Sequence, residues 1–284
     1  MALRNIRLKL AYDGTPFAGW QVQPDQPTIQ SELERAVLET SGEVVRFLSA
    51  GRTDSGVHAL GQVANFRTES PIPPDRWRPA LQTKLPPEIV VLESDEVPLE
   101  FHSTFSARSK RYRYVIHNRI VSSPFLRNYA WRISQPLSAE AMHAAAQCLV
   151  GTHDFRSFES HWPNKASSVR TVTHLSIQRA SGWDLWQDSP LHGPFPGVQN
   201  SAEPAPFICL EIEADGFLYN MVRAITGTLV NVGRGTWSAA DIQRVLEAQD
   251  RDIAGGTAPA CGLYMVCVNY NGDPAGPGNA QLDE

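Results

Sequence analysis

Alternation of apolar and polar residues predicts a strand at the start of the chain and helical spacing predicts a helix after it. Residues 5–12 place Ile6, Leu8 and Leu10 on one face and charged residues on the other, which is the two-residue period of a half-buried strand. After Thr28, apolar residues recur three and four positions apart, as on one face of a helix that Thr28 would cap. The chain therefore begins with a strand and then a helix.

Similar patterns continue to about residue 270 and mix strands with helices throughout. Strands are predicted at 44–49, 62–66, 88–91, 107–116, 168–172 and 207–213, and helices at 75–85, at 217–232 and after the capping residues Ser138 and Ser238. Residues 181–206 break the pattern, because they contain five prolines and no periodicity, and they predict a long surface loop. Residues 271–284 are rich in Gly, Pro, Asn and acidic residues and predict a disordered tail.

Length and composition predict a folded protein of about two domains. The chain has 284 residues, against roughly 150 for one domain, and 42% of them are hydrophobic. No apolar run approaches the roughly 20 residues that cross a bilayer, and the N-terminus lacks the apolar core of a signal peptide. We therefore expect a cytoplasmic protein without membrane association, in which the four scattered cysteines stay reduced.

Charged residues are unevenly distributed along the chain, and this bears on whether the protein binds nucleic acid. A formal net charge of −5 argues mildly against a nucleic-acid partner. However, residues 101–139 contain no Asp or Glu and hold seven Arg and Lys residues. A local basic surface is therefore expected on a chain that is acidic overall.

The candidate chemistry lies in a tight segment between two predicted strands, at residues 49–66. There Gly51 and Gly56 bracket Arg52 and Asp54, and the glycines permit the positive φ or the close backbone approach that would turn a carboxylate toward a cleft. Arg52 is near enough to pair with Asp54 or to hold a phosphate. The alternative is an ordinary turn, in which the aspartate bonds its own backbone.

A second candidate is the predicted strand 107–116. Its alternation puts Tyr112 and Tyr114 on one face and Arg111 and Arg113 on the other. Aromatic rings that stack on bases, next to guanidinium groups that pair with phosphates, suit RNA binding. The alternative is an edge strand with a buried aromatic face and a solvated basic face.

Both segments resemble a known family. Gly-Arg-Thr-Asp-Ser-Gly-Val-His at 51–58, with Gly-Gln-Val at 61–63, resembles the catalytic loop of the tRNA pseudouridine synthase A (TruA) family. Arg-Tyr-Arg-Tyr at 111–114 and Met-Val-Arg at 221–223 match two further motifs. The resemblance runs from residue 6 to about 270, apart from the insertion at 181–206, and residues 82–84 depart from the family's asparagine-bearing segment.

The resemblance implies an α+β fold in two sandwich-like domains, whose mixed, mostly antiparallel sheets meet at a central active-site cleft. The domains would be 1–106, with the catalytic loop, and 107–270. It also implies a homodimer that binds tRNA and isomerises uridines 38, 39 and 40 of the anticodon stem-loop, with no cofactor and no metal.

The family's site residues carry over to six positions. Asp54 would be the essential nucleophile, adding to ribose C1′ or to the uracil ring, and both routes stay open. The other five would form the substrate-binding site. Arg52 would hold the phosphate of the target nucleotide, Tyr112 would stack on the uracil and Leu263 would pack against it. Arg223 would pair with Asp54, and Arg170 would contact the RNA.

Two other functions compete with this interpretation. One is a non-catalytic tRNA-binding protein with the same fold, against which the presence of Asp54, Tyr112 and Arg223 argues. The other is a hydrolase with an aspartate nucleophile, which would typically need a metal and further acidic ligands near Asp54 that the sequence does not supply.

Overall fold

The structure is a computed structural model that describes residues 2–160, 167–181, 186 and 204–271. Within these residues, one sheet of ten strands is accompanied by five α-helices. The strands are β1 Arg4–Tyr12, β2 Leu48–Ser49, β3 His58–Thr68, β4 Ile89–Val97, β5 Ala107–His117, β6 Trp131–Arg132, β7 Gly151–Asp154, β8 Val169–Ala180, β9 Phe207–Ala214 and β10 Leu263–Tyr270. The helices are α1 Ile29–Ser41, α2 Trp77–Gln82, α3 Ala139–Ala146, α4 Met221–Gly233 and α5 Ala239–Ala248.

The strand order makes the sheet continuous across the whole fold. It runs β4-β1-β3-β10-β5-β9-β8-β7, with β2 beside β3 and β6 beside β5. Pairing is antiparallel except between β3 and β10 and between β5 and β6. The predicted α+β class and the mostly antiparallel pairing are confirmed. The strands of the first half and those of the second half meet in one sheet where β10 lies beside β3, and the domain boundary at 106 stays a prediction.

Local chemistry explains where α1 begins and ends. Thr28 is extended, and its hydroxyl accepts from the backbone N–H of Ser31 at 3.2 Å, while the Ser31 hydroxyl accepts from the N–H of Thr28. Gly42 ends the helix in the left-handed region, with φ of 76°, and donates to the carbonyl of Leu38. The capping residue predicted from the sequence is therefore confirmed.

Several predicted boundaries were wrong. The helix predicted from 217 begins only at Met221, because Asn220 takes a left-handed conformation with φ of 62° and a helix cannot continue through it. The strand predicted at 44–49 is reduced to β2. The helix predicted at 75–85 is a single 3₁₀ turn followed by the six residues of α2.

Little of the predicted insertion and tail belongs to the described residues. Positions 182–185, 187–203 and 272–284 lie outside them, so the loop at 181–206 and the tail at 271–284 stay predictions. Trp186 is described: its indole N–H donates to the hydroxyl of Tyr264 at 3.0 Å, and its ring meets Phe207 edge-on. No helix in the described part of the chain combines the length and the apolar character needed to span a membrane.

Two of the three arginines of β5 correct the predicted basic surface. β5 is a central strand between β10 and β9, not an edge strand. Arg113 is fully buried and pairs with Glu211 at 2.6 Å, and Arg111 pairs with Glu213 at the same distance. Arg111 and Arg113 therefore stabilise the sheet and are not available to RNA phosphates. Arg108, Arg127 and Arg132 are the exposed arginines of this segment.

Replacing Arg113 tests this structural role. We expect Arg113→Met to lower the free energy of unfolding by about 3–5 kcal/mol, because it leaves the buried carboxylate of Glu211 without its cation. Arg108→Met, on the exposed part of the same strand, is the matched control and should change stability by less than about 0.5 kcal/mol. Urea unfolding of both variants measures the difference, and equal stability would contradict the assignment.

Candidate active site

The loop that carries Asp54 is held by the segment that follows β1. The carbonyl of Thr53 accepts from the N–H of Trp20 at 2.9 Å, and the hydroxyl of Ser55 donates to the carbonyl of Phe17 at 3.2 Å. Val57 N–H donates to the carbonyl of Asp54 and closes the turn. The side chain of Asp54 is thus left to point away from its own backbone, which contradicts the ordinary-turn alternative.

A buried polar network supports the other side of this loop. The hydroxyls of Tyr12 and Thr53 share a hydrogen bond of 2.8 Å. The amide of Gln62 donates to the carbonyl of Gly51 at 2.8 Å and to the hydroxyl of Tyr12 at 3.3 Å. All three side chains are buried, so the bonds that fix the loop are protected from competition with water.

Glycine at position 19 allows the close contact that this support needs. A Cβ atom there would lie 2.6 Å from the carbonyl oxygen of Thr53, and the φ of Gly19 is +99°. Any other residue would push the Asp54 loop away. The segment that follows β1 therefore shapes the candidate site, in addition to packing Trp20 in the core.

Arg223, near the start of α4, meets Asp54. Its Nη1 donates to Oδ2 of Asp54 at 3.1 Å and to Oδ1 of Asn220 at 2.7 Å, and its Nε donates to the carbonyl of Ala258 at 2.8 Å. The expected contact between Asp54 and Arg223 is present. Because two other acceptors hold the guanidinium, its position does not depend on Asp54.

Sequence reasoning missed Asn220. Its left-handed backbone starts α4, its Oδ1 orients Arg223, and its Nδ2 donates to the hydroxyl of Ser160 at 2.7 Å. One signal was available: an asparagine three residues before Arg223 at the start of a helix can both adopt positive φ and reach the arginine.

Burial and the ion pair act on Asp54 in opposite directions. Burial raises the pKa of the Asp54 carboxyl, and the Arg223 guanidinium lowers it, with burial the larger effect, so the pKa lies above the usual value. Burial also raises the pKa of Tyr112, and the nearby Tyr12 and Asp54 add to this. Tyr112 is therefore a neutral phenol at physiological pH.

Tyr112 and Leu263 line the same side of the sheet beside the loop. The Tyr112 ring packs edge-on against Phe217 at 4.9 Å, and a Cβ on Gly51 would lie 3.5 Å from the Tyr112 hydroxyl. Leu263 pairs with Tyr114 in register at the start of β10 and is buried. Tyr112 is close enough to Asp54 for the two groups to interact electrostatically, and Leu263 lies on the same face of the sheet.

The two remaining predicted residues lie farther out. Arg52 is exposed, and none of the described residues forms a hydrogen bond or ion pair with it. Arg170 donates to the carbonyl of Ser167 at 2.9 Å and lies along Gly216, the neighbour of Phe217. Neither side chain contacts Asp54. The fold therefore brings Asp54, Arg223 and Tyr112 together, while Arg52 and Arg170 lie outside this group.

Comparison with known proteins identifies the family. A family model described as tRNA pseudouridine synthase matches residues 10–106 and 145–271. The chain belongs to this family. Its members are isomerases that convert uridine to pseudouridine in tRNA, and the resemblance of the sequence motifs is confirmed.

Relatives named tRNA pseudouridine synthase A match almost the whole chain. The protein of Thermoanaerobacter sp. (strain X514) is 42% identical over 94% of this chain and 100% of its own length. That of Acetivibrio thermocellus is 44% identical over the same shares. That of Halalkalibacterium halodurans is 40% identical over 92% of this chain and 90% of its own length. The family's motifs therefore occur here within a chain of similar extent.

Removing the positive charge of Arg223 should raise the pKa of Asp54. In Arg223→Gln the raising effect of burial is no longer opposed, so we expect the pKa of Asp54 to rise further, and a higher pH is then needed to form the carboxylate. A carboxyl ¹³C NMR titration measures this. Arg52→Gln is the control and should leave the titration nearly unchanged, because Arg52 makes no contact with Asp54. An unchanged pKa in Arg223→Gln would contradict the electrostatic role of Arg223.

Proposed function

We propose that this protein isomerises uridine to pseudouridine at positions 38, 39 and 40 of the tRNA anticodon stem-loop, with Asp54 as the covalent nucleophile. The observation that carries the proposal is the pair of Asp54 and Arg223, which come from distant parts of the chain and meet at 3.1 Å with both side chains partly buried. A carboxylate that is desolvated, oriented and not used to cap its own turn is suited to attack an electrophilic carbon.

The reaction rearranges bonds without a net change in composition. The bond between N1 of uracil and C1′ of ribose breaks, the base turns, and a bond from C5 to C1′ forms. The proton on C5 is lost and N1 gains one. Asp54 takes part by adding either to C1′ or to the uracil ring, and in both routes its ester must break again to release the enzyme.

The neighbouring residues bind and position the nucleotide. Tyr112 is buried, neutral and beside the loop, so its ring offers a stacking surface for uracil. Leu263 lies on the same face and would pack against the base. Arg52, exposed on the catalytic loop, is placed to hold the phosphate of the displaced nucleotide, and Arg170 to meet the RNA at the rim.

The energetic cost of exposing the target uridine is moderate. Flipping a nucleotide out of a stem costs a few kcal/mol. Stacking on an aromatic side chain contributes roughly 1–3 kcal/mol per base, so Tyr112 would offset much of that cost.

We also infer that the protein acts in the cytoplasm as a homodimer, with residues 1–106 and 107–270 as its two domains. In support of the division, the family model matches in two blocks, of which the first ends at residue 106. Asp54 belongs to the first domain and Arg223 to the second.

Tritium release tests the proposed chemistry. Wild-type protein incubated with [5-³H]uridine tRNA transcripts in EDTA, without added cofactor, should release tritium, because C5 loses its hydrogen. Asp54→Asn keeps the size of the side chain and removes its nucleophilicity, so we expect at least a 10³-fold loss of rate with tRNA affinity within a few-fold of wild type. Equal release by both proteins would overturn the role of Asp54. Binding without release by wild type would support the non-catalytic tRNA-binding alternative.

A second set of substrates tests the site on the tRNA. An isolated anticodon stem-loop should still be modified, and replacing uridines 38, 39 and 40 by cytidine should abolish product, because only these bases lie within the proposed target. Mapping of pseudouridine in the full transcript measures this. A product elsewhere in the tRNA would contradict the proposed positions and leave the isomerase activity standing.

A further inference from the structure

The two halves of the sheet are joined by a short stretch of paired strand. The strands of the first half connect to those of the second where β10 lies beside β3, and this parallel pairing has two register pairs, His58 with Tyr264 and Ala59 with Met265. By comparison, β5 and β9 share eight register pairs. Since Asp54 and Arg223 lie on opposite sides of this joint, side chains must help to hold their separation.

His58 bridges the joint from within one of these register pairs. The residue is 2% exposed, and its ring stacks on that of Tyr264 with centroids 4.8 Å apart and planes 19° apart. Its Nε2 donates to the carbonyl of Asn128 at 2.9 Å, in the second half, and its Nδ1 accepts from the N–H of Gly14 at 3.1 Å, in the first. One imidazole ring thus bonds both halves.

One further bond crosses the joint beside His58, and another holds it from within the second half. The hydroxyl of Tyr129 donates to Oδ2 of Asp13 at 2.7 Å, and the hydroxyl of Tyr264 donates to the carbonyl of Tyr129 at 2.7 Å. Nδ1 of His58 lies 3.2 Å from Oδ1 of Asp13. Burial would raise the pKa of Asp13, but this contact with His58 and the hydrogen bonds from Thr15 and Tyr129 outweigh it and hold this pKa well below its usual value. We call Asp13, His58, Asn128, Tyr129 and Tyr264 the clasp.

The clasp adjoins the loop that carries Asp54. Gly14 packs so closely on Val57 that a Cβ at position 14 would lie 2.0 Å from the Val57 carbonyl oxygen. Val57 N–H in turn donates to the carbonyl of Asp54 at 3.1 Å. On the other side, Tyr264 directly follows Leu263. A shift at the clasp therefore moves the Asp54 loop relative to Arg223.

We propose that the clasp sets the separation of the Asp54 carboxylate and the Arg223 guanidinium, and that His58 is its central positioning residue. No member of the clasp contacts Asp54 or Arg223 through a described side-chain hydrogen bond, so it acts through the backbone of the loop. The inference rests on the proposed function only for the measurements of catalytic activity; the titration of Asp54 and the hydrogen exchange do not depend on it.

The titration of Asp54 reports this separation. Arg223 on α4 bonds the Asp54 carboxylate, Tyr112 on β5 interacts with it electrostatically, and Arg52 lies two residues away on the same loop. Lys110 on β5 lies near Gly51, and Tyr12 on β1 lies near Tyr112. Arg223 is the one that lowers the Asp54 pKa by direct contact. When the separation grows, this lowering weakens and the Asp54 pKa rises, so the acidic limb of the activity profile moves to higher pH.

The experiment compares two tyrosines whose hydroxyls both cross the joint. Tyr129→Phe removes the bond to Asp13 in the clasp, and Tyr270→Phe removes a bond of 2.8 Å to the carbonyl of Ser103 at the far end of β10. We expect Tyr129→Phe to lower kcat severalfold with little change in KM, to raise the Asp54 pKa in a carboxyl ¹³C titration, and to speed hydrogen exchange at the N–H groups of Gly14 and Val57. Tyr270→Phe should leave all of these near wild type.

His58→Gln provides a stronger variant, because it removes the stacked ring and the acceptor for Gly14. We expect its kcat to fall roughly 10–100-fold, as for a misplacement of about 1 Å, with a larger rise of the Asp54 pKa. If this variant does not fold, the conclusion is drawn from Tyr129→Phe alone. If Tyr129→Phe and Tyr270→Phe have the same Asp54 pKa and the same hydrogen exchange at Gly14 and Val57, the proposed role of the clasp is wrong. If wild type forms no pseudouridine, the proposed function fails, while the titration and exchange still decide on the clasp.

Discussion

The structure depends on one ion pair whose partners are far apart in the sequence. Asp54 sits on a loop after the second strand, and Arg223 on the first turn of α4, yet they meet at 3.1 Å. Burial makes a lone carboxylate costly there, and Arg223 offsets part of that cost. The balance leaves a carboxyl group that is poorly solvated, has a raised pKa and is held against a cation, an arrangement suited to nucleophilic attack.

The surrounding architecture can be understood as support for this pair. Arg223 is held by Asn220 and Ala258 independently of Asp54, and the Asp54 loop is held by the network of Tyr12 and Gln62. Each partner is therefore oriented by its own half of the fold. The remaining freedom is the position of the halves relative to each other, which explains why the bonds across the β3–β10 joint matter.

The charges inside the sheet are paired with one another and leave contacts with RNA to other residues. Arg111 and Arg113 occupy the middle of the sheet with glutamate partners on β9. Such pairs are costly to break but contribute little net stability, so they act mainly to specify the strand register. Consequently, a count of basic residues along 101–139 overstates the positive surface, and the exposed Arg108 and Arg127 are better candidates for phosphate contacts.

The sequence by itself determined the features that depend on neighbours within a few residues. The alternation of β1, the cap at Thr28 and the glycine-bracketed loop at Asp54 follow from local periodicity and turn chemistry, and the family motifs singled out Arg223 as the partner of Asp54. Only the tertiary structure decided what depends on distant neighbours. A two-residue period cannot tell a central strand from an edge strand, so the burial of Arg113 was hidden, and no local pattern showed that His58 bonds both halves.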